Sequence, residues 1–160
     1  MSKFKKKKSE GQPAISTASL PDIVFMLLFF FMVVTVMRQN TLMVENKLPF
    51  ADQVEKLDKK DLVMYIYAGK PSPRYQERFG SEARIQLNDK FASVGEVQQF
   101  IFAERETKSE ELIPYLTTAL KVDEETNMGL VSDIKQELRK AEALKINYTT
   151  KEGDALQNMQ

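Results

Sequence analysis

The 160-residue chain contains no cysteine and no histidine. Without cysteine it has no disulfide bond, no zinc–thiolate site and no thiol nucleophile. Without histidine it lacks the side chain that most often transfers protons near neutral pH and most often binds metals. It also has no glycine-rich phosphate loop and no paired-carboxylate motif. These absences favour a protein that is not an enzyme and that uses no metal and no cofactor.

The formal net charge is zero, but the charges are distributed unevenly along the chain. Five lysines against Glu10 give the first ten residues a charge of +4, whereas the part from Arg38 onward has 18 basic and 21 acidic residues, a balance of −3. Basic residues before an apolar segment are typical of a cytoplasmic N-terminus. A lysine run can also bind nucleic acid. Beside an apolar segment we favour the membrane and expect no nucleic-acid partner.

The apolar segment lies in the sequence SLPDIVFMLLFFFMVVTVMR, in which Ile23–Met37 carries no charge and one hydroxyl group. A signal peptide has a similar pattern. However, no small-residue cleavage site follows Met37, and residues 9–19 separate the lysines from the apolar core. We therefore predict a retained transmembrane helix over residues 20–39, with the C-terminal domain on the other side of the membrane from the N-terminus.

Asp22 is the one charge in the window Gly11–Met37. As a helix, Ile23–Met37 is about 22 Å long, short for a hydrocarbon core of about 30 Å. The embedded part is therefore expected to extend upstream, which places Asp22 at or near membrane depth. An acid in the first helical turn, after Pro21, satisfies free N–H groups and the helix dipole. An acid in an apolar site can instead carry protons. The residues alone leave both interpretations open.

The rest of the chain predicts an α+β domain with the element order β-β-β-α-β-α-β, in which two helices cover one face of a small mixed sheet. A capping box at Ser93 and Glu96 starts one helix, and Asn127 caps a second that runs through Ala143. Gly69–Gly80 is predicted to be a loop, and Phe50–Lys60 a helix or linker. The predicted strands are Thr41–Lys47, Leu62–Tyr67, Arg84–Leu87, Tyr115–Val122 and Lys145–Thr149.

The predicted organisation has five parts. They are a cytoplasmic basic tail (1–19), the transmembrane helix (20–39), a strand and linker beyond the membrane (40–61), the α+β domain on that side (62–152) and a flexible tail (153–160).

Three segments resemble the ExbD/TolR family of biopolymer-transport proteins. The first is PDIVFMLLFFFMVV, in which an acid opens the helix and Phe31-Met32-Val33 follows. The second is VENKLP, Val44–Pro49, similar to the family's strand that ends in Leu-Pro. The third is the C-terminal half, where IQLNDKFASVGEVQQFI resembles a strand–turn–helix and ALKVDEETNMGLVSDIKQELRKAEALKINYTT a strand–helix–strand. The three segments also have the order and spacing of the family, and the resemblance covers nearly the whole chain.

The resemblance implies a proton-motive-force-driven motor subunit of the bacterial inner membrane that energises TonB-dependent transport across the outer membrane. It implies a homodimer whose helices insert into a pentameric, multispan ExbB/TolQ-like partner. It also implies a TonB/TolA-like periplasmic transducer as partner and Asp22 as the proton-transfer residue. Because segments 69–81 and 104–114 are longer than in short family members, no periplasmic contact residue is carried over.

Alternative functions are a TolR-like motor subunit of the Tol system, a stator-type subunit, and a plain single-span anchor for a periplasmic binding domain. In the last case Asp22 is only a helix cap.

Overall fold

The computed structural model describes residues 11, 17–35, 41–57 and 59–159. The chain divides into two compact units, Met1–Gln39 and Asn40–Gln160. The predicted basic tail, apart from Gly11 and residues 17–19, and the end of the predicted span at residues 36–39 lie outside the described residues.

The first unit contains a 3-10 turn, Thr17–Ser19, that leads into the α-helix α1, Leu20–Val34. Pro21 lies in the first turn of α1, where its missing N–H costs no helical hydrogen bond. The helix ends where the N–H of Thr35 donates to the carbonyl of Phe31 at 2.8 Å. Within the described residues, no helix has both the length and the apolar character that crossing a membrane requires. The transmembrane span therefore stays a prediction.

The second unit contains two β-sheets and three α-helices among its described residues. The helices are α2 (Pro73–Phe79), α3 (Glu96–Glu106) and α4 (Met128–Lys140). The strands are β1 (Phe50–Ala51), β2 (Val63–Gly69), β3 (Arg84–Leu87), β4 (Lys90–Ala92), β5 (Thr117–Val122), β6 (Ile146–Tyr148) and β7 (Lys151–Glu152).

The main sheet has five strands in the order β4-β3-β2-β5-β6. The central strand β2 pairs antiparallel with β3 and parallel with β5, and β6 extends the sheet parallel to β5. β3 and β4 form a hairpin, in which Asn88 adopts the left-handed conformation that asparagine tolerates in turns. The sheet is thus mixed, as predicted.

One face of this sheet packs against α3 and α4. Val97 and Ile101 of α3, together with Ile134 and Leu138 of α4, are fully buried in a single core with residues of β2, β3 and β5. Burying each such side chain is favourable by roughly 1.5–3 kcal/mol. The apolar spacing of both helices therefore directs them to the same sheet face, and the predicted α+β architecture is confirmed.

Two of the predicted local structures are wrong. The predicted loop Gly69–Gly80 contains α2, because Pro73 is compatible with the first helical turn and Gly80 ends the helix at a φ of 80°. The predicted strand Thr41–Lys47 has one isolated bridge, between Val44 and Pro71. Its other backbone groups bond to the side chains of Gln86, Asp89 and Asp123 and to the backbone of residues that follow β2 and β5, rather than to a strand ladder.

Other predicted elements occur with shifted ends. Tyr115 closes a 3-10 helix, Glu110–Tyr115, before β5 begins at Thr117. Asn127 caps α4 by accepting from the N–H of Gly129 at 2.9 Å.

The C-terminal residues contact β1. Residues Ala155–Met159, within the predicted tail, form a 3-10 helix. The side chain of Asn158 accepts from the N–H of Phe50 at 2.7 Å and donates to its carbonyl at 2.9 Å. β1 also pairs in parallel with β7. Neither contact is apparent in the sequence.

Of the predicted capping box, the bond from Glu96 back to Ser93 forms, while α3 begins at Glu96 with Gly95 as its N-cap and without a side-chain cap. The carboxylate of Glu96 accepts from the N–H of Ser93 at 2.6 Å and from its hydroxyl at 2.9 Å. The hydrogen bond from the Ser93 backbone is the main reason why the pKa of Glu96 is lowered from its ordinary value of 4.5. A lowered pKa in the folded state means that the ionised carboxylate stabilises the fold above that value.

We therefore predict that Glu96→Gln lowers the free energy of unfolding at pH 7. The difference from the parent protein should shrink as the pH falls below 4.5 and through the lower folded-state pKa, because protonation then removes the same charge. Urea unfolding of both proteins at a series of pH values measures this difference in the free energy of unfolding. Glu77→Gln, at an exposed glutamate of α2, is the control for loss of one negative charge. A pH-independent difference would contradict the assignment.

Candidate functional site

The predicted proton-transfer residue, Asp22, lies in the first turn of α1 and is exposed. The first N–H groups of a helix have no partner within the helix, and its N-terminus carries partial positive charge. A carboxylate at this position therefore interacts favourably with the helix end. Asp22 is also the sole ionisable residue of Leu20–Val34. The geometry is compatible with the capping role, and the proton-transfer role stays a prediction.

The surface of α1 is apolar on every side. Its thirteen large apolar side chains, from Leu20 to Val34, are each between 54% and 78% exposed, and α1 has no buried residue. A helix that is apolar all round belongs in a protein core or in a membrane. On a protein surface in water, a continuous apolar area of this kind marks a site that binds another protein or a membrane. The helix thus combines a fully apolar surface with one carboxylate at its start.

The chain thus has an apolar helix with an acid in its first turn, followed by a small α+β domain. A comparison with protein families agrees with this combination. A family model described as "Biopolymer transport protein ExbD/TolR" matches residues 8–153. The chain belongs to the ExbD/TolR family. Comparisons with curated proteins and with solved structures gave no match.

In this ExbD/TolR-family chain, the first described segment after α1 is attached to the domain by hydrogen bonds. We call residues 41–47 the strap. The strap runs past the C-terminal end of β2: the N–H of Glu45 donates to the carbonyl of Lys70 at 2.7 Å, and the N–H of Ser72 donates to that of Met43 at 2.9 Å. A Cβ atom on Gly69 would lie 2.2 Å from the Glu45 carbonyl oxygen. Glycine is therefore required where the strap passes β2.

Gln86 of β3 is the first attachment point of the strap. Its side chain is fully buried, although glutamine is usually exposed. Its Oε1 accepts from the N–H of Met43 at 2.8 Å, and its Nε2 donates to the carbonyls of Thr41 and Asn88, each at 2.7 Å. The buried amide thus has both its oxygen and its nitrogen paired, and two of the three bonds hold the strap.

Asp123, at the end of β5, is the second attachment point. Its Oδ1 accepts from the N–H of Lys47 at 2.7 Å, and its side chain is nearly buried. The N–H of Glu124 donates back to the carbonyl of Lys47 at 2.9 Å. The ammonium of Lys47 also pairs with the Glu124 carboxylate, which raises the pKa of Lys47. Because the Lys47 side chain is largely exposed, its ion pair contributes little, and the backbone bonds to Asp123 and Glu124 hold this end of the strap.

Sequence reasoning identified Asp22 but missed both attachment points. Gln86 occupies a strand position in the run IQL, where its polar side chain gives no sign that it is buried. Its partner Met43 is 43 residues away in the sequence. The position of Gln86 between Ile85 and Leu87 does not reveal which segment its side chain binds.

We predict that Gln86→Leu releases the strap from β3. The substitution leaves the N–H of Met43 and the carbonyls of Thr41 and Asn88 without the Gln86 amide, and a group that stays buried without a partner costs about 1–3 kcal/mol. Hydrogen exchange at the Met43 amide should accelerate, and urea unfolding of the full chain in detergent micelles should show reduced stability.

The matched control is Gln99→Leu, at an exposed glutamine of α3. Its effect on the free energy of unfolding should stay within about 0.5 kcal/mol. Unchanged exchange at Met43 in the Gln86 variant would show that Gln86 does not hold the strap.

Proposed function

We propose that this chain is a motor subunit of the bacterial inner membrane, driven by the proton motive force, in which Asp22 carries the proton. The protein crosses the membrane once, with its N-terminus in the cytoplasm and residues 40–160 in the periplasm. Its role is mechanical rather than enzymatic. The observation that carries the proposal is the position of Asp22, at the start of a helix that has no other ionisable residue and no buried side chain.

The proposed span is longer than α1. The 15 residues of α1 give a length of about 22 Å, against a hydrocarbon core of about 30 Å. The sequence on both sides is uncharged, since Gly11–Met37 contains no charge other than Asp22. The lysines before this window and the acidic excess after Met37 support the orientation with the N-terminus in the cytoplasm.

A lone acid in such a span needs a protein partner. The hydrocarbon core of the bilayer offers no group that could accept a hydrogen bond from the acid or stabilise its charge, so intramembrane carboxylates face a protein interior or a water-filled path. We propose that α1 from each of two copies packs inside a pentameric ExbB/TolQ-like multispan protein. Two helices in a five-fold ring have different surroundings, so one Asp22 can face a hydrated path while the other is closed off.

Protonation then changes what holds each helix in place. A charged carboxylate is attracted to polar groups of the ring, and a neutral one is not, so proton binding permits the helix to rotate relative to its partner. One elementary charge that crosses a potential of 100 mV supplies about 2.3 kcal/mol. The strap is the first described segment after α1, and it transmits this movement to β3 and β5 through Gln86 and Asp123.

We further propose that the periplasmic domain passes this energy to a TonB-like transducer that acts at the outer membrane. The membership of the chain in a biopolymer-transport family supports a transducing role. The Tol-system motor is the alternative, and its transducer is TolA-like. Purification of the full chain from its native membrane distinguishes the two systems, because the transducer recovered with the chain is either TonB-like or TolA-like.

We predict that Asp22→Asn abolishes energy-dependent uptake across the outer membrane while the multispan partner still co-purifies. Asparagine resembles aspartate in shape and can hydrogen-bond at a helix start, but it cannot take up or release a proton at neutral pH. Asp22→Glu keeps the carboxyl group and should retain part of the uptake. Full uptake in the Asn variant would leave Asp22 as a helix cap only.

A second prediction separates a motor subunit from a plain anchor. The full chain, purified in mild detergent, should bring down a multispan membrane protein in a fixed ratio, because α1 requires a protein surface next to Asp22. Quantitative mass spectrometry of the purified complex measures the ratio. Recovery of the chain without a multispan protein would favour the anchor.

A further inference from the structure

The face of the main sheet opposite α3 and α4 carries two tyrosines and a lysine. Tyr65 and Tyr67 of β2 point to this face, since the alternate residues Met64 and Ile66 lie in the core. Lys121 of β5 is the registered neighbour of Tyr67. The two tyrosine rings stack with their centres 6.4 Å apart.

The ammonium group of Lys121 lies over both rings. Its Nζ is 4.7 Å from the ring centre of Tyr65 and 5.3 Å from that of Tyr67. Such contacts stabilise a cation by the negative face of the ring. Within the part of the chain that the structure describes, Lys121 forms no ion pair and no side-chain hydrogen bond. Burial without a compensating carboxylate lowers the pKa of Lys121.

Lys121 lies at a cleft of about 310 Å³, which we call the lysine cleft. The cleft is also lined by Lys56 and Lys60, and by the polar residues Asn147 and Thr149 near the sheet edge. Among the described residues that line the cleft, Glu55 is the one acidic residue, and none of the three lysines forms an ion pair with it. The described lining therefore has three ammonium groups against one carboxylate, and no described carboxylate forms an ion pair with any of the three lysines.

We propose that the lysine cleft binds an anionic ligand through a phosphate or carboxylate group. Three ammonium groups supply the charge, while the amide of Asn147 and the hydroxyl of Thr149 supply hydrogen bonds that fix orientation. The ring of Tyr65 holds Lys121 in place, so little side-chain freedom is lost when the anion binds. The volume reaches the lower end of the range for small-ligand sites, about 300–1,000 Å³. This site is separate from Asp22 and does not depend on proton transfer.

Binding can be measured on the full chain in detergent micelles with lysine-specific NMR at pH 7. The probes are inorganic pyrophosphate for phosphate, tricarballylate for carboxylate, and glycerol as the neutral control. Saturable shifts of the Lys56, Lys60 and Lys121 side-chain signals with either anion, absent with glycerol, would support the site. A response to pyrophosphate alone would identify a phosphate site, and a response to tricarballylate alone a carboxylate site. No saturable shift with either anion would overturn the proposal.

Substitutions test which lysine of the cleft binds the anion. Lys121→Met should weaken anion binding at least tenfold, and Lys121→Arg should retain it, because arginine keeps the charge. Lys145→Met is the matched control, since the Lys145 ammonium lies 5.7 Å from the ring centre of Tyr115, outside the cleft. Equal loss in the Lys145 variant would contradict the proposal. If Lys121→Met does not fold, the double variant Lys56→Gln and Lys60→Gln must show the loss of binding instead.

Discussion

The apolar surface of α1 and the carboxylate at its start impose opposite requirements on the same helix. Thirteen large apolar side chains are exposed, and each Å² of apolar area removed from water is favourable by about 25 cal/mol. A charged carboxylate moved into the same apolar surroundings is unfavourable. Both requirements are met where lipid or protein covers the helix and a polar group or water path reaches Asp22. The proposed assembly with a multispan protein follows from this conflict.

The second unit, in contrast to α1, buries apolar side chains in a core of its own. The core formed by the sheet with α3 and α4 buries Ile66, Ile101 and Ile134 almost completely. The strap contributes mainly directional hydrogen bonds instead, to Gln86 and Asp123, with Val44 as its one buried apolar side chain. Such bonds are broken and remade more readily than a packed core, because each is worth only about 0.5–1.5 kcal/mol net. In the proposed motor, these bonds are the attachment of the domain to the first described segment after α1.

Local signals in the sequence predicted the parts of the fold that depend on local interactions. The Asn127 cap and the apolar spacing of α4 each act within a few residues, and the structure contains both. The strap was predicted as a strand, because its composition is strand-like. Its actual partners, Gln86 and Asp123, lie 43 and 76 residues away. The lysine cleft was missed for the same reason, since Tyr65 and Lys121 meet only through the β2–β5 pairing.

The central claim is that Asp22 changes its protonation state when the motor works. Infrared difference spectroscopy of the chain with its multispan partner in proteoliposomes can follow the carbonyl band of a protonated carboxyl group. When a proton gradient is imposed, the account predicts a change in this band that is absent from the Asp22→Asn variant. A band that responds equally in both proteins, or a carboxyl group of Asp22 that stays in one protonation state, would contradict the account.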